Sequence, residues 1–216
     1  TYPAIVDGET RPTIADRWGR TVFYMLRLLG AFLVAVLVSQ VPRLAVLLGV
    51  DPLWPTLLVA TLPQFLFIGS SISNDGLTAL LCGLAVTSTI GASLGNASKG
   101  WMSAGLWTGL AFMAKKSAII LFPTGLLLLF LTRKEQARAG KNALWYVGFA
   151  LLLASPILVR NQAFYGEPLA NHMEIVTLQN LVTPRRIADP YFLTTFPMTL
   201  ASSFVGLFGW TAVQVP

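Results

Sequence analysis

The stretch Gly105–Leu129, GLWTGLAFMAKKSAIILFPTGLLLL, sets two apolar runs on either side of Lys115-Lys116. As one helix through a bilayer, it would bury two ammonium groups in hydrocarbon at about 2.5–3.5 kcal/mol each. As two helices that turn back at the lysines, each run falls short of the ~20 residues that cross a ~30 Å apolar core. The second reading is adopted, with the lysines at a membrane face or in a wet cavity. Two tilted helices joined by a tight basic turn are the plainer version of it. Interrupted apolar segments are also where membrane proteins build sites.

The rest of the chain agrees that lipid is the main solvent. Of its 216 residues, 55% are hydrophobic and 11% charged, and the mean hydropathy is +0.67. A soluble domain carries about 25% charged residues, and this chain cannot cover a water-facing surface with so few. The net charge is +6. Its basic residues are scattered between apolar runs, which suits orientation and head-group contact and excludes a nucleic-acid face. The single cysteine, Cys82, rules out a disulfide framework and reads as a small core residue. The sequence opens at Thr1 with no signal peptide in view, and is expected to be an excerpt with a further segment upstream.

About seven apolar spans follow: 22–41, 52–70, 75–93, 101–114, 117–132, 143–159 and 194–213. The expectation is an all-α, polytopic transmembrane helix bundle forming a single domain over 1–216, with one long polar loop, 160–192. The short basic segment 132–142, TRKEQARAGKN, is placed in the cytoplasm by the positive-inside rule. Alternation then puts 42–51 and 94–100 inside. It puts the N-terminal tail, 71–75, the lysine turn and 160–192 outside. Arg11, Arg17, Arg20, Arg160, Arg185 and Arg186 run against the rule. Arg27, about one turn into the first span, snorkels or lines a cavity. Residues 171–181 are read as an amphipathic piece lying on the surface. The sequon at Asn96–Ser98 is read as a chance match.

This topology brings Asn74-Asp75, Lys115-Lys116 and Arg160-Asn161 to one face, each at the end of a span. Lysine and arginine hold phosphate by charge-assisted hydrogen bonds. A carboxylate orients a hydroxyl, accepts a proton or binds a metal ion. Each residue also has a structural reading: helix capping for Asp75, snorkelling for the lysines, and a helix C-terminal cation for Arg160. His172 and Glu174 stand two residues apart, and two such ligands alone are weak grounds for a metal.

Three segments carry a family resemblance: LPQFLFIGSSISNDGLTALLCGLAV (Leu62–Val86), the opening stretch, and SPILVRNQAFYGEPLA (Ser155–Ala170). Their order resembles the multi-span C-type glycosyltransferases, the superfamily of protein O-mannosyltransferases and aminoarabinose transferases. The closing SFVGLFGW (Ser203–Trp210) is similar to that family's later part. The likeness covers Leu62 to Trp210 and lies in the order of the segments, since each is short and apolar. Ala114-Lys115 stands where the family pattern has Thr-Lys.

The resemblance implies sugar transfer from a polyprenyl phosphate or diphosphate carrier to a lipid, glycan or protein acceptor, at the extracytoplasmic face of a bacterial plasma membrane. Carried over residue by residue, it gives a role to Asp75, Lys115 and Arg160; Lys116 matches no family position. The family's principal carboxylate belongs to an earlier loop, for which Asp7, Glu9 and Asp16 are candidates, Asp16 being taken as catalytic beside Asp75. Asn74, Lys116 and Asn161 complete the expected substrate-binding set. The implied partners are the lipid-linked sugar donor and membrane lipid. No cofactor is fixed, and a divalent metal is left open. The rival classes are a transporter or flippase of an anionic lipid-linked substrate, and a non-catalytic scaffold.

Overall fold

In the computed structural model the chain runs as a serpentine of helices. The residues described are 5–6, 9–10, 17–95, 98–132, 136–172, 176, 189–198, 201, 207–208 and 213–214. The helices are α1 (Arg17–Leu47), α2 (Leu53–Thr61), α3 (Pro63–Ser70), α4 (Asp75–Gly95), α5 (Ser98–Ala114), α6 (Leu121–Leu131) and α7 (Gln136–Tyr165). A 3-10 segment, Lys116–Ile120, leads into α6. The strands among the described residues are β1 (Ile5–Val6) paired antiparallel with β2 (Glu9–Thr10), and β3 (Leu207–Phe208) paired with β4 (Val213–Gln214).

The breaks have local causes. Gly49, at φ +72°, turns the chain after α1 in a conformation that other residues resist. The Asp51 carboxylate then accepts the Leu53 N–H at 2.7 Å and starts α2. Pro63 has no N–H to continue α2, and it forces Leu62 into an extended conformation (φ −62°, ψ 116°). The expected span 52–70 is therefore two helices bent by 59°. Lys115 is extended (φ −156°, ψ 128°) and separates α5 from the 3-10 segment. Gly166, at φ +73°, stops α7 and donates its N–H to the Gln162 carbonyl.

Glycines set the closest helix contacts. A methyl group on Gly76 would stand 3.8 Å from the Val34 side chain, and one on Gly91 would stand 3.8 Å from Leu47. Gly83 is met by Leu37. These pairs advance in the same sense along both helices, so α1 and α4 pack in parallel. The α5 glycines Gly105 and Gly109 receive the backbone of α7 at Tyr146 and Ala150. Trp101, Ala104, Leu129 and Tyr146 are buried together with Ala92. The Tyr146 hydroxyl donates to the Leu121 carbonyl at 2.7 Å and lies 3.3 Å from Thr108 Oγ1. That buried hydroxyl is satisfied, as membrane interiors require. Outward, Tyr24, Leu28, Phe32, Trp54, Leu144 and Leu152 are exposed, which suits a lipid-facing surface.

Among the described residues, three helices are long and apolar enough to cross a membrane: 19–47, 75–95 and 139–165. The bent pair α2–α3 would make a fourth. Among the described residues the expected count of about seven is not reached. The runs either side of the lysines give helices of 17 residues (α5) and 16 residues (116–131), both short of a span. In the expected last span, 194–213, the described residues include helix at 195–198 and the β3–β4 ladder instead of one continuous helix. The expected polar loop also starts late, because α7 continues through Arg160 and Asn161 to Tyr165.

Candidate functional site

The turn 71–74 carries the chain from α3 into α4. The Asn74 carbonyl accepts the Thr78 N–H at 2.9 Å and so begins α4, while the Asp75 N–H lies 3.3 Å from Ser73 Oγ. Asp75 is thus the first residue of α4, and its carboxylate is free to turn outward. It accepts a hydrogen bond from Lys115 Nζ at 2.5 Å. Beside it, Asn74 Nδ2 donates at 2.8 Å to the Ala114 carbonyl, an end-of-helix acceptor with no partner further along α5. Two adjacent residues of α4's entry therefore hold the two residues at α5's exit.

The Asp75 side chain is 40% exposed and that of Lys115 46%. A pair this open to solvent contributes at most ~1 kcal/mol to stability. It costs little to open, so both groups remain available to a ligand.

Lys116 turns the other way and donates to Asn171 Oδ1 at 2.6 Å. The segment after α7 is itself braced. Asn161 Nδ2 donates to the Pro168 carbonyl at 3.1 Å, Gln162 Nε2 to the Gly166 carbonyl at 3.1 Å, and the His172 N–H to Glu167 Oε2 at 3.2 Å. The guanidinium of Arg160 lies over the Phe164 ring, 5.8 Å from its centroid.

Of the expected site residues, Asn74, Asp75, Lys115 and Lys116 come together on the turns that join α3 to α4 and α5 to α6. Asn161 reaches that end by bracing the 166–172 segment. Arg160 faces a ring of its own helix. Asp16, Asp7, Glu174 and Asn96 lie outside the described residues. Asn171 was missed by sequence reasoning, and its only signal was its place just after the YGEP turn. Among the described residues, no three of His, Cys, Asp and Glu gather as a metal site would require.

The opposite end of the bundle has a simpler contact, with Ser98 Oγ donating to Asn142 Oδ1 at 3.0 Å across the starts of α5 and α7. Between the two ends, an apolar cleft of about 290 Å³ lies between α4 and α6, lined by Val86, Ile90, Leu121 and Leu128 among others.

Residues 13–216 match the family described as predicted membrane protein DUF2142, and the chain belongs to that family. No curated protein and no solved structure matches it.

Proposed function

We propose that this membrane protein is a glycosyltransferase that moves a sugar from a polyprenyl-phosphate-linked donor to a lipid, glycan or protein acceptor. One observation carries the reading: Asp75, Asn74, Lys115 and Lys116 gather from turns some forty residues apart, with Asn171 against Lys116, at one end of an apolar bundle. A carboxylate, two ammonium groups and amides at that level suit a phosphate-bearing head group and the hydroxyls of a sugar. The α4–α6 cleft supports the same reading, because Leu121 opens it only five residues beyond Lys116 and apolar side chains line it downward.

In this proposal Lys115 stabilises the leaving phosphate as negative charge builds on it, with Arg160 as the second cation. Asp75 orders the donor or acceptor hydroxyls. Proton removal from the acceptor falls to a carboxylate such as Asp16 or one upstream. The end bearing Asp75 is extracytoplasmic, the membrane is a bacterial plasma membrane, and α5 and the 116–131 helix are further, shorter passes beside the longer four.

A second reading draws on a different observation. The span Leu53–Ser70 is broken at Leu62, and Gln64 Oε1 beside the break is buried without a hydrogen-bond partner. Discontinuous membrane helices with free polar groups line substrate paths in transporters. Transfer is favoured because the one ion pair among the described residues, Asp75–Lys115, sits at helix ends.

The test is a transferase assay on membranes, supplying a radiolabelled polyprenyl-phosphate sugar and following label into lipid and protein. Asp75→Asn and Lys115→Ala are each expected to lower the rate at least ~100-fold, the scale of losing an electrostatic contact to the transition state. Full activity in both, at normal protein level, would overturn the assignment.

A further inference from the structure

Arg27 interrupts the apolar run of α1, and the run from Thr21 to Gln40 holds no other charge. Its depth and direction follow from how α1 lies on the bundle. A methyl group on Gly30 would stand 3.0 Å from the Gly69 carbonyl oxygen and 3.3 Å from that of Ser71. One on Gly76 would stand 3.8 Å from the Gly30 carbonyl oxygen and 3.8 Å from Val34. Gly30 is therefore level with the turn that ends at Asp75. Below it, Val34 and Leu37 continue the stripe of α1 that meets α3 and α4.

Arg27 falls on that same stripe, three residues before Gly30 and seven before Val34, the spacing at which helical residues share a face. It stands ~4.5 Å above Gly30 along the helix axis, just past the turn where Asn74 and Asp75 sit. Side chains lean toward a helix's N-terminus, which for α1 is away from the bundle and toward the polar layer. The guanidinium lies over the Phe23 ring, 4.7 Å from its centroid, a contact with the ring's π face that does not use up its N–H donors. Arg27 is exposed, and no carboxylate among the described residues is in ion-pair contact with it.

We propose that Arg27 is a phosphate-binding residue at the entry to the Asp75–Lys115 end, taking a phosphate monoester or diester by its two-pronged guanidinium edge. The class of ligand rests on the reading given under Proposed function; the location of Arg27 does not. Plain snorkelling to water predicts no ligand preference, so the two explanations separate by experiment.

The full chain in dodecyl maltoside micelles is titrated with dodecyl phosphate, with dodecyl phosphocholine as the zwitterionic comparison and inorganic phosphate as the soluble one, and binding is read by native mass spectrometry. Arg27→Gln is expected to weaken dodecyl phosphate binding at least ~10-fold, the usual scale for a charge-assisted pair. Arg27→Lys should recover part of that loss, since it keeps the charge without the fork. Arg43→Gln, which removes a guanidinium hydrogen-bonded to Gln40 on the opposite half of α1, should leave binding unchanged. A matching loss of inorganic phosphate binding identifies the source as any phosphate, and a loss confined to the amphiphile identifies a lipid head group; both support the site. Arg27→Gln within twofold of wild type, or a loss shared equally by dodecyl phosphocholine, overturns it. If Arg27→Gln loses binding while Asp75→Asn and Lys115→Ala retain full transfer, the phosphate site stands and the transferase reading falls. If Arg27→Gln binds normally while those two variants abolish transfer, the reverse holds.

Discussion

Replacing Gly109 by alanine should loosen the seam on which the whole polar end depends. The added methyl would overlap the Ala150 carbonyl oxygen and stand 2.9 Å from Leu153 Cβ, where ordinary contact begins near 3.4 Å. Backbone cannot swing aside as a flexible side chain can, so α5 and α7 must part by roughly 0.5–1 Å, and a gap of that size forfeits a quarter to a half of each contact's dispersion energy. Ala104, Ala111, Ala150, Ala154 and Tyr146, all 1% exposed or less, line this region. The expected cost is about 1–3 kcal/mol, the range for overpacking a tight interior. Gly148→Ala is the control: it lies in α7, and a methyl there meets nothing within 4 Å. It should be neutral or stabilise by up to ~1 kcal/mol through helix propensity. Stability is measured by titrating dodecyl sulfate into mixed micelles and following circular dichroism. The Ala114 carbonyl and Lys115 sit at the exit of the helix that must move, so transfer activity should fall with stability. Equal stability of Gly109→Ala and Gly148→Ala would refute the close-approach argument.

Two further outcomes are expected. Tyr146→Phe removes the hydroxyl that donates to the Leu121 carbonyl at 2.7 Å and should cost about 1 kcal/mol in the same titration; an unchanged midpoint would mean the bond does not hold α6 to α7. In a Cys82→Ala background, cysteines placed at Asn171 and at Ser73 should react with a membrane-impermeant maleimide from the outer side of intact cells, and one at Lys99 should not. Reaction at Lys99, or different accessibility of 73 and 171, would contradict the proposed orientation or the gathering of that end.

The amino-acid sequence alone determined the class of this protein and the break at Lys115-Lys116. Too few charges for a water-facing surface, long apolar runs and the lysine doublet act through solvation, and these need no partner in space. The same logic placed Asn74, Asp75, Lys115 and Lys116 on one side of the membrane by alternation, and the structure puts Asp75 in contact with Lys115 and Asn74 with Ala114. The number of long spans was not legible, because hydropathy reports what a segment tolerates and not the helix it completes. The span 52–70 breaks at Pro63, the 17 residues of α5 are short of a crossing, and α7 runs on to Tyr165. Only tertiary structure decided who touches whom: that Asn74 seals the end of α5, that Lys116 reaches Asn171, and that Arg27 stands just past the Asp75 turn. Those pairings depend on the axial register of one helix against another. That register is fixed by where glycines let backbones meet, a property of two surfaces together that neither segment carries alone.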